Sequence, residues 1–315
     1  MFFATDVHGS ETTFKKFINA GKFYKVDVLI LGGDLTGKLI TSFIEQPNGT
    51  YTVNFLGNEY VLNDRAATTE MEKEIRKLGF YAYYTNPEEV EEISANKARI
   101  DELMLRLMSE RLREWILLAE ERLKDTGIKT YVTGGNDDPL IVEEILNRSD
   151  YIVNSQDKVV KIDADHEMIS SGLSNATPWH TPREVSEEEL ADRINKMLQQ
   201  VRNPKSCIFN LHVPPINSDL DTCPKLDATV YPPKPILQGG AVLMYGAGST
   251  SVRHAIEEQE PLLGLFGHIH ESRGATKIGR TLCINPGSEY SEGILRGAII
   301  TLTQDKVKSY QLTSG

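Results

Sequence analysis

Short apolar runs recur along the chain in the order expected of strands that alternate with helices. Five runs are typical of buried strands: FFAT at the start, VDVLIL at 26–31, IKTYVT at 128–133, CIFNL at 207–211 and LLGLF at 262–266. Helical spacing lies between them, as in Phe14, Phe17 and Ile18, and a stretch beginning at Ser186 has Glu189 at the capping-box position. The pattern predicts an α/β fold in which helices cover a sheet.

The C-terminal third has a different pattern. TLCIN, GAIITLT and VKSYQLT follow one another as short strands with no helix between them. We therefore expect a second, largely antiparallel sheet. Two sheets with helices outside them would form a four-layer α/β/β/α sandwich.

Residues 38–126 interrupt this alternation. The segment YTVNFLGNEYVL predicts a hairpin, and a long helix is expected to begin after Asn86 as its cap. Apolar positions at three-and-four spacing, including Ile93 and Ile100, are expected to pack on the body of the protein. We interpret residues 1–315 as a single domain with a hairpin-plus-helix insertion at about 38–126.

Composition narrows the possible functions. Thirty-four basic and 45 acidic residues give a net charge of −11, which disfavours stable binding to nucleic acid. The N-terminus lacks the features of a signal peptide, and no segment approaches the roughly 18 apolar residues of a membrane span. The three cysteines form no CxxC pair. We expect a cytoplasmic enzyme that does not bind membranes and has neither a disulfide framework nor a thiolate zinc site.

Polar residues with metal-binding chemistry follow each predicted strand, where open α/β sheets place their ligands. They occur as Asp6-x-His8, Gly32-Gly33-Asp34, Gly134-Gly135-Asn136-Asp137, His212 and Gly267-His268-Ile269-His270. In extended backbone, residues two apart project to the same side, so Asp6 with His8 and His268 with His270 are expected to converge. Imidazole, carboxylate and amide oxygen suit a borderline or hard cation.

The order Asp-x-His, Gly-Asp, Gly-Asn, His, Gly-His-x-His closely resembles the calcineurin-like metallophosphoesterase superfamily. The resemblance spans residues 6–288 when the downstream Asn285-Pro286-Gly287-Ser288 is included. It rests on these blocks alone and does not cover the insertion at 38–126 or the loop at 214–248. The fold that it implies is the metallo-dependent phosphatase-like sandwich.

By that resemblance, one metal would take Asp6, His8 and His270, and the other Asn136, His212 and His268, with Asp34 bridging them. The implied cofactors are two divalent ions, Mn, Fe or Zn. The implied activity is hydrolysis of a phosphodiester or phosphomonoester by a metal-activated water. A small phosphorylated compound or a nucleotide would be the substrate. The alternative is a catalytically weak metal-binding scaffold or interaction module of the same fold.

Asp137 departs from the family, in which many members carry His directly after the Gly-Asn. An ionised Asp137 would repel a phosphate dianion more than a diester monoanion, which favours diesters. A protonated Asp137 could act as a general acid, and a third interpretation makes it only a cap before Pro139.

Two further features leave alternatives open. Gly32 to Lys38 fits the start of a P-loop, but Leu39 stands where a hydroxyl residue is needed and the histidines stay unexplained. The loop at 170–183 contains His180 and Arg183, which could form part of the substrate wall. Its Gly and Ser turns are equally compatible with a connector.

Overall fold

The computed structural model describes all 315 residues. Its strands are β1 (Phe2–Ala4), β2 (Val28–Leu31), β3 (Ile40–Glu45), β4 (Tyr51–Phe55), β5 (Asn58–Leu62), β6 (Tyr81–Thr85), β7 (Lys129–Val132), β8 (Val153–Asn154), β9 (Lys158–Lys161), β10 (Glu167–Ser171), β11 (Ile208–Leu211), β12 (Thr222–Pro224), β13 (Leu226–Asp227), β14 (Lys234–Pro235), β15 (Leu237–Gln238), β16 (Ala241–Val242), β17 (Met244–Gly246), β18 (Leu263–Leu265), β19 (Gly274–Ile278), β20 (Thr281–Asn285), β21 (Arg296–Thr303) and β22 (Lys306–Ser314). The α-helices are α1 (Glu11–Phe23), α2 (Arg65–Lys77), α3 (Pro87–Ser94), α4 (Lys97–Leu123), α5 (Ile141–Leu146), α6 (Glu187–Leu198) and α7 (Thr250–Gln259). None of the helices combines the length and apolar character that crossing a membrane requires.

Two six-stranded sheets form the body of this mixed α/β protein. The first has the order β22-β21-β1-β2-β7-β8, and the second β19-β20-β18-β11-β10-β9. Strands β1, β2, β7 and β8 run parallel in the first sheet, as do β10, β11, β18 and β20 in the second. The carboxyl ends of the parallel strands within each sheet therefore lie at one edge, where the candidate residues follow them.

Three apolar clusters explain how the layers pack. One joins side chains of β1 and β2 to α1, α4 and α5, and another joins β10 and β11 to α6 and α7. The third contains Phe3 and Ile30 of the first sheet together with Met168, Ile208 and Leu265 of the second. Because side chains alternate along a strand, each sheet has one face toward its helices and one toward the other sheet.

The C-terminal strands do not form the separate antiparallel sheet expected from the sequence. Strand β20 lies in the second sheet, parallel to β18 and antiparallel to β19. Strands β21 and β22 extend the first sheet, with β21 antiparallel to β1. The prediction was wrong because local hydrophobic patterns identify strands but not their distant pairing partners.

The segment inserted after β2 is larger than a hairpin and one helix. The predicted hairpin is present as β4 and β5, but it belongs to a four-stranded sheet of order β5-β4-β3-β6. Asn86 caps α3 as predicted, accepting from the Glu89 amide at 2.9 Å. The expected long helix is interrupted, since α3 ends at Ser94 and Asn96 caps α4 by accepting from the Ala98 amide at 3.0 Å. The hydrogen bond from the Ala98 amide to the Asn96 side chain starts a new helix and competes with continuation of α3.

Candidate metal centre

Seven polar side chains meet at the carboxyl ends of parallel strands from both sheets. Those after strands of the first sheet are Asp6 and His8 after β1, Asp34 after β2 and Asn136 after β7. Those after strands of the second sheet are His212 after β11, and His268 and His270 after β18. Five of them are buried, and His268 and His270 are partly exposed. The sequence thus placed every member of this group at the correct edge.

One part of the group is a cluster that could hold a metal ion. It consists of Asp6, His8, Asp34 and His270, whose ligand atoms all lie within 4.8 Å of one another. His8 Nε2 is 3.1 Å from His270 Nε2 and 3.4 Å from Asp34 Oδ2. His270 Nε2 lies 3.5 Å from Asp6 Oδ1. Ligands bonded at about 2.0–2.1 Å around a tetrahedral ion lie roughly 3.3 Å apart, so this spacing fits a cation.

The remaining ligands lie beside that cluster. Asn136 Oδ1 is 2.9 Å from His212 Nε2 and 2.7 Å from His268 Nδ1. Asp34 Oδ2 lies 3.4 Å from His212 Nε2, which equals its distance from His8 Nε2. One carboxylate oxygen therefore lies between the two sets of imidazoles.

The backbone brings these side chains together in a way that differs from the sequence prediction. Asp6, His8, Asp34 and His268 have φ angles of 54°, 39°, 50° and 67°. Such left-handed conformations are uncommon outside glycine and cluster at functional sites. Asp6 with His8, and His268 with His270, therefore converge on turns after the strands, and the extended backbone expected for them was wrong.

Hydrogen bonds from neighbouring groups orient the candidate ligands. His212 Nδ1 lies 3.2 Å from Gly32 O, which directs Nε2 into the site when Nδ1 donates. Asn136 Nδ2 donates to Thr181 Oγ1 at 2.9 Å and leaves Oδ1 facing the two imidazoles. The Asp137 amide donates to Asp34 Oδ1 at 3.0 Å.

The segment Asn285 to Ser288 makes hydrogen bonds to the backbone of two turns that carry candidate ligands. Asn285 Nδ2 donates to Ile269 O at 2.9 Å, inside the Gly-His-x-His turn. Ser288 Oγ donates to Asp6 O at 2.6 Å. This segment therefore acts through backbone positioning, and neither side chain belongs to the candidate ligand set.

Charge and burial set the protonation of the centre in the absence of a cation. Burial would raise the pKa of Asp34, but His212 and His8 outweigh it and hold that pKa well below its usual range. Burial lowers the pKa of His8 to about 3 and, together with His212, that of His268 to about 4. At His212 burial is outweighed by Asp34, which raises the pKa to about 9. A cation that binds His212 must displace this proton.

Asp137 lies in the site and does not cap a helix. Its carboxylate forms an ion pair with Lys38 and lies 3.8 Å from His8 Nδ1. Burial and the nearby Asp34 raise the pKa of Asp137 to about 7, against the effect of Lys38. Sequence reasoning had considered Lys38 only within the rejected P-loop pattern. A strand follows that pattern where a P-loop needs a helix, which excludes the P-loop interpretation.

The carboxylate next to Asp137 joins two turns of the site and caps no helix. Asp138 is fully buried and accepts hydrogen bonds from the amides of Leu35, Thr36 and Gly135 at 2.8–2.9 Å. These bonds join the turn carrying Asp34 to the turn carrying Asn136. The cap interpretation of Asp137 was wrong, because the helix after Pro139 has Leu140 at its N-cap and no side-chain capping hydrogen bond.

The two predicted substrate-wall residues are not on the wall. Arg183 is 3% exposed, pairs with Glu143, and donates to Asp138 O at 2.6 Å and Pro139 O at 2.9 Å. Its guanidinium is thus occupied in supporting the Asn136 turn. His180 is exposed and does not line the cavity beside the metal centre, whereas its neighbours Trp179 and Thr181 do. The loop lines the cavity through residues other than the two that the sequence singled out.

The inserted segment holds the His8 turn. Arg111 of α4 donates to Gly9 O at 2.7 Å, and the Gly37 amide donates to the Tyr81 hydroxyl at 2.9 Å. Gly79, with a φ of 88°, approaches His8 O so closely that a Cβ there would collide with it. No sequence pattern connected residues 77–111 with the metal centre.

Comparisons with known proteins give the fold but not the activity. No protein-family model matches the chain. The uncharacterized protein MJ1162 of Methanocaldococcus jannaschii is 32% identical over 157 residues, which are 49% of this chain and 62% of that protein. The matched region thus covers less than two thirds of the relative.

Two solved structures are similar over nearly the whole chain. One crystal structure superposes with a TM-score of 0.56 at 18% identity, covering 99% of this chain and 97% of its own. The crystal structure of TT1561 of Thermus thermophilus superposes with a TM-score of 0.51 at 14% identity, covering 100% and 96%. At this level of identity the likeness establishes a shared fold.

Proposed function

We propose that this protein is a metal-dependent phosphoesterase with a calcineurin-like dinuclear centre. Asp6, His8 and His270 would hold one divalent ion, and Asn136, His212 and His268 the other. Asp34 would bridge them. The single observation that carries the proposal is the position of Asp34 Oδ2, at 3.4 Å from a ring nitrogen in each set.

The architecture supports the same proposal. Apolar clusters on both faces of each sheet support a four-layer α/β/β/α sandwich. We further propose that residues 1–315 form one metallophosphoesterase domain, with the subregion at about 38–126 inserted into it. The ligands come from both sheets, so the sandwich must form before the centre is complete.

The donor set fits divalent transition metals. Imidazole nitrogen together with carboxylate and amide oxygen favours Mn, Fe or Zn over calcium, which prefers six to eight oxygen ligands. When bound, two such ions would hold phosphoryl oxygens, neutralise developing charge and supply hydroxide at neutral pH. The residues of the chain orient this chemistry: His212, Asn136 and Asp34 are each held by the hydrogen bonds described above.

Lys38 and Asp137 flank the position at which a phosphoryl group would bind. The Lys38 ammonium can contact a phosphoryl oxygen, and Asp137, whose pKa is raised to about 7, can donate a proton to a leaving oxygen. The charge of Asp137 is partly balanced by Lys38, which weakens the argument from sequence that this carboxylate disfavours monoesters. We therefore propose phosphoester hydrolysis without restricting it to diesters.

A metal analysis combined with a substrate panel tests the proposal. Purified protein is reconstituted separately with Mn²⁺, Fe²⁺ and Zn²⁺, its bound metal is quantified, and hydrolysis of p-nitrophenyl phosphate and bis-p-nitrophenyl phosphate is followed. We expect close to two ions per chain and metal-dependent release of p-nitrophenol. Bound metal without hydrolysis of either ester would favour the scaffold alternative, and failure to bind metal would reject both.

A further inference from the structure

A cavity of about 460 Å³ opens onto the metal centre. Its polar end includes Asp34, Asn136 and His268. The remainder is lined largely by aromatic, proline and aliphatic side chains, among them Trp179, Tyr245, Pro224, Leu226 and Pro235. The cavity is thus large enough for an organic group beyond the phosphoryl group, and it has an apolar wall to receive one.

Trp179 has a free face on this wall. Its side chain is 53% exposed and packs against no other aromatic ring. The second tryptophan, Trp115, is 2% exposed and stacks on Phe14 with the ring centroids 4.2 Å apart. A large indole left open beside a catalytic cavity has an unused stacking surface.

A hydrogen-bond network fixes the Trp179 loop relative to the metal centre. The Trp179 amide donates to Thr177 Oγ1 at 3.1 Å, and Thr177 Oγ1 donates to Glu184 at 2.5 Å. Thr181 donates to the same Glu184 oxygen through its amide at 2.7 Å and accepts from Asn136 Nδ2 at 2.9 Å. The groups that orient a candidate metal ligand thus also hold the backbone of Trp179 in place.

The part of the lining that contains Tyr245 is tied to the same loop. Tyr245 lies in β17, paired with Cys223 of β12, and both residues line the cavity. Asn175 Nδ2 donates to Ala247 O at 3.3 Å, two residues beyond Tyr245. Trp179 and Tyr245 therefore belong to two lining segments that are hydrogen-bonded to each other.

Charge limits what this cavity can take. Apart from the imidazoles of the metal centre, Lys38 is the single basic residue that lines it, and Asp137 and Glu271 are acidic. The cavity therefore offers cationic partners to one phosphoryl group only. Further phosphates on a substrate would face a lining without positive charge to balance theirs. The occupant of the apolar part is therefore not a further phosphate.

We infer that the wall formed by Trp179 and Tyr245 binds a planar aromatic group on the substrate ester, and thereby selects phosphoesters of aromatic character. This inference rests on the proposed function, because the phosphoryl group anchored at the metals places the ring on the wall. Trp179 is a specificity-determining residue in this arrangement. A nucleobase, a phenol or another flat ring system can stack on this wall. An aliphatic group would be buried there but would gain no stacking.

Binding of two non-hydrolysable phosphonates to the metal-reconstituted protein tests the inference. Phenylphosphonate and cyclohexylphosphonate carry the same charged group and rings of similar size, but only the first is planar. We expect phenylphosphonate to bind about 2- to 10-fold more tightly, the range of one aromatic pair contact. It should also change the fluorescence of Trp179. Kd is measured by titration calorimetry and, independently, by that fluorescence change.

Variants separate stacking from a general loss of structure. Trp179→Ala should bring the ratio of the two Kd values close to one, while Trp179→Phe should retain most of the preference. Tyr231→Ala is the matched control, because Tyr231, in the loop at 214–248, is a 94% exposed aromatic residue that does not line the cavity. It should leave both constants unchanged.

The outcomes distinguish this inference from the proposed function. Equal binding of both phosphonates, no binding of phenylphosphonate, or an unchanged ratio in Trp179→Ala overturns the inference, even if the protein hydrolyses p-nitrophenyl phosphate. A Trp179-dependent preference in a protein that binds metal but hydrolyses no ester leaves the aromatic subsite standing and overturns the proposed function.

Discussion

The ammonium group of Lys38 forms an ion pair with the carboxylate of Asp137 at the edge of the metal centre. The two residues are almost 100 positions apart, one at the start of the inserted segment and the other after β7. Their pairing places a cation and an ionisable acid where the ester oxygens would lie. It also changes what a substitution at Asp137 should do.

Asp137→Asn should raise the ratio of kcat/KM for monoesters to that for diesters. The substitution removes a negative charge and frees Lys38 to attract the second charge of a monoester. At about 6 Å and an effective dielectric near 20, one such contact corresponds to 2–3 kcal/mol, which solvent and metals reduce. We expect an increase of up to about tenfold, measured with p-nitrophenyl phosphate and bis-p-nitrophenyl phosphate. An unchanged ratio with intact metal content would show that Asp137 does not face the ester.

Lys38→Met should act in the opposite direction. Removing the ammonium leaves the negative charge of Asp137 unbalanced, and that charge repels the second negative charge of a monoester. Monoester turnover should therefore fall more than diester turnover. Lys38→Arg keeps the charge and should restore most of the ratio. If Lys38→Met lowers both activities equally, the lysine has no role in discriminating ester charge.

Asp34→Ala should abolish hydrolysis and lower the metal content of both positions. Its carboxylate is the one group placed between the two sets of imidazoles, so neither set keeps its full complement of ligands. Bound metal is measured by elemental analysis in Asp34→Ala and in the control variant Asp305→Asn. The control alters an exposed carboxylate at a distant turn. Retention of two ions per chain in Asp34→Ala would contradict the bridging role.

Gly79→Ala should disrupt the His8 turn, because the added Cβ would collide with His8 O. The matched control is Gly57→Ala, where φ is also positive, at 79°, but no atom lies within 4 Å of the added Cβ. The control should lose about 1–2 kcal/mol of unfolding free energy from backbone strain alone. We expect Gly79→Ala to lose more stability and most of its metal, measured by urea unfolding and elemental analysis. Equal behaviour of the two variants would show that the inserted segment does not position His8.

Arg183→Met should destabilise the protein without a selective effect on KM. Its buried guanidinium pairs with Glu143 and satisfies two carbonyl oxygens, so its removal should cost on the order of 3 kcal/mol. Urea unfolding measures the loss, and kinetics on the folded fraction measure KM. A large increase in KM with unchanged stability would instead show that Arg183 contacts the substrate.

The sequence predicted local elements well and their long-range pairing poorly. The strand that contains Val28 and the helix that begins after Ser186 were recognised because hydrophobic spacing and caps are local signals. The location of β20, β21 and β22 was not, because a strand's hydrophobic pattern is compatible with several partners. The break at Asn96 was also missed, because helical spacing continues on both sides of it.

The sequence by itself determined which chemistry stands at each strand end: carboxylate at Asp6 and Asp34, amide at Asn136, imidazole at His212 and His268. These identities follow from residue order alone. Only the tertiary structure decided how they meet, through left-handed turns that no apolar periodicity encodes. It also decided that Arg183 turns inward while Trp179 faces the cavity, because side-chain direction depends on packing and hydrogen bonds between segments distant in sequence.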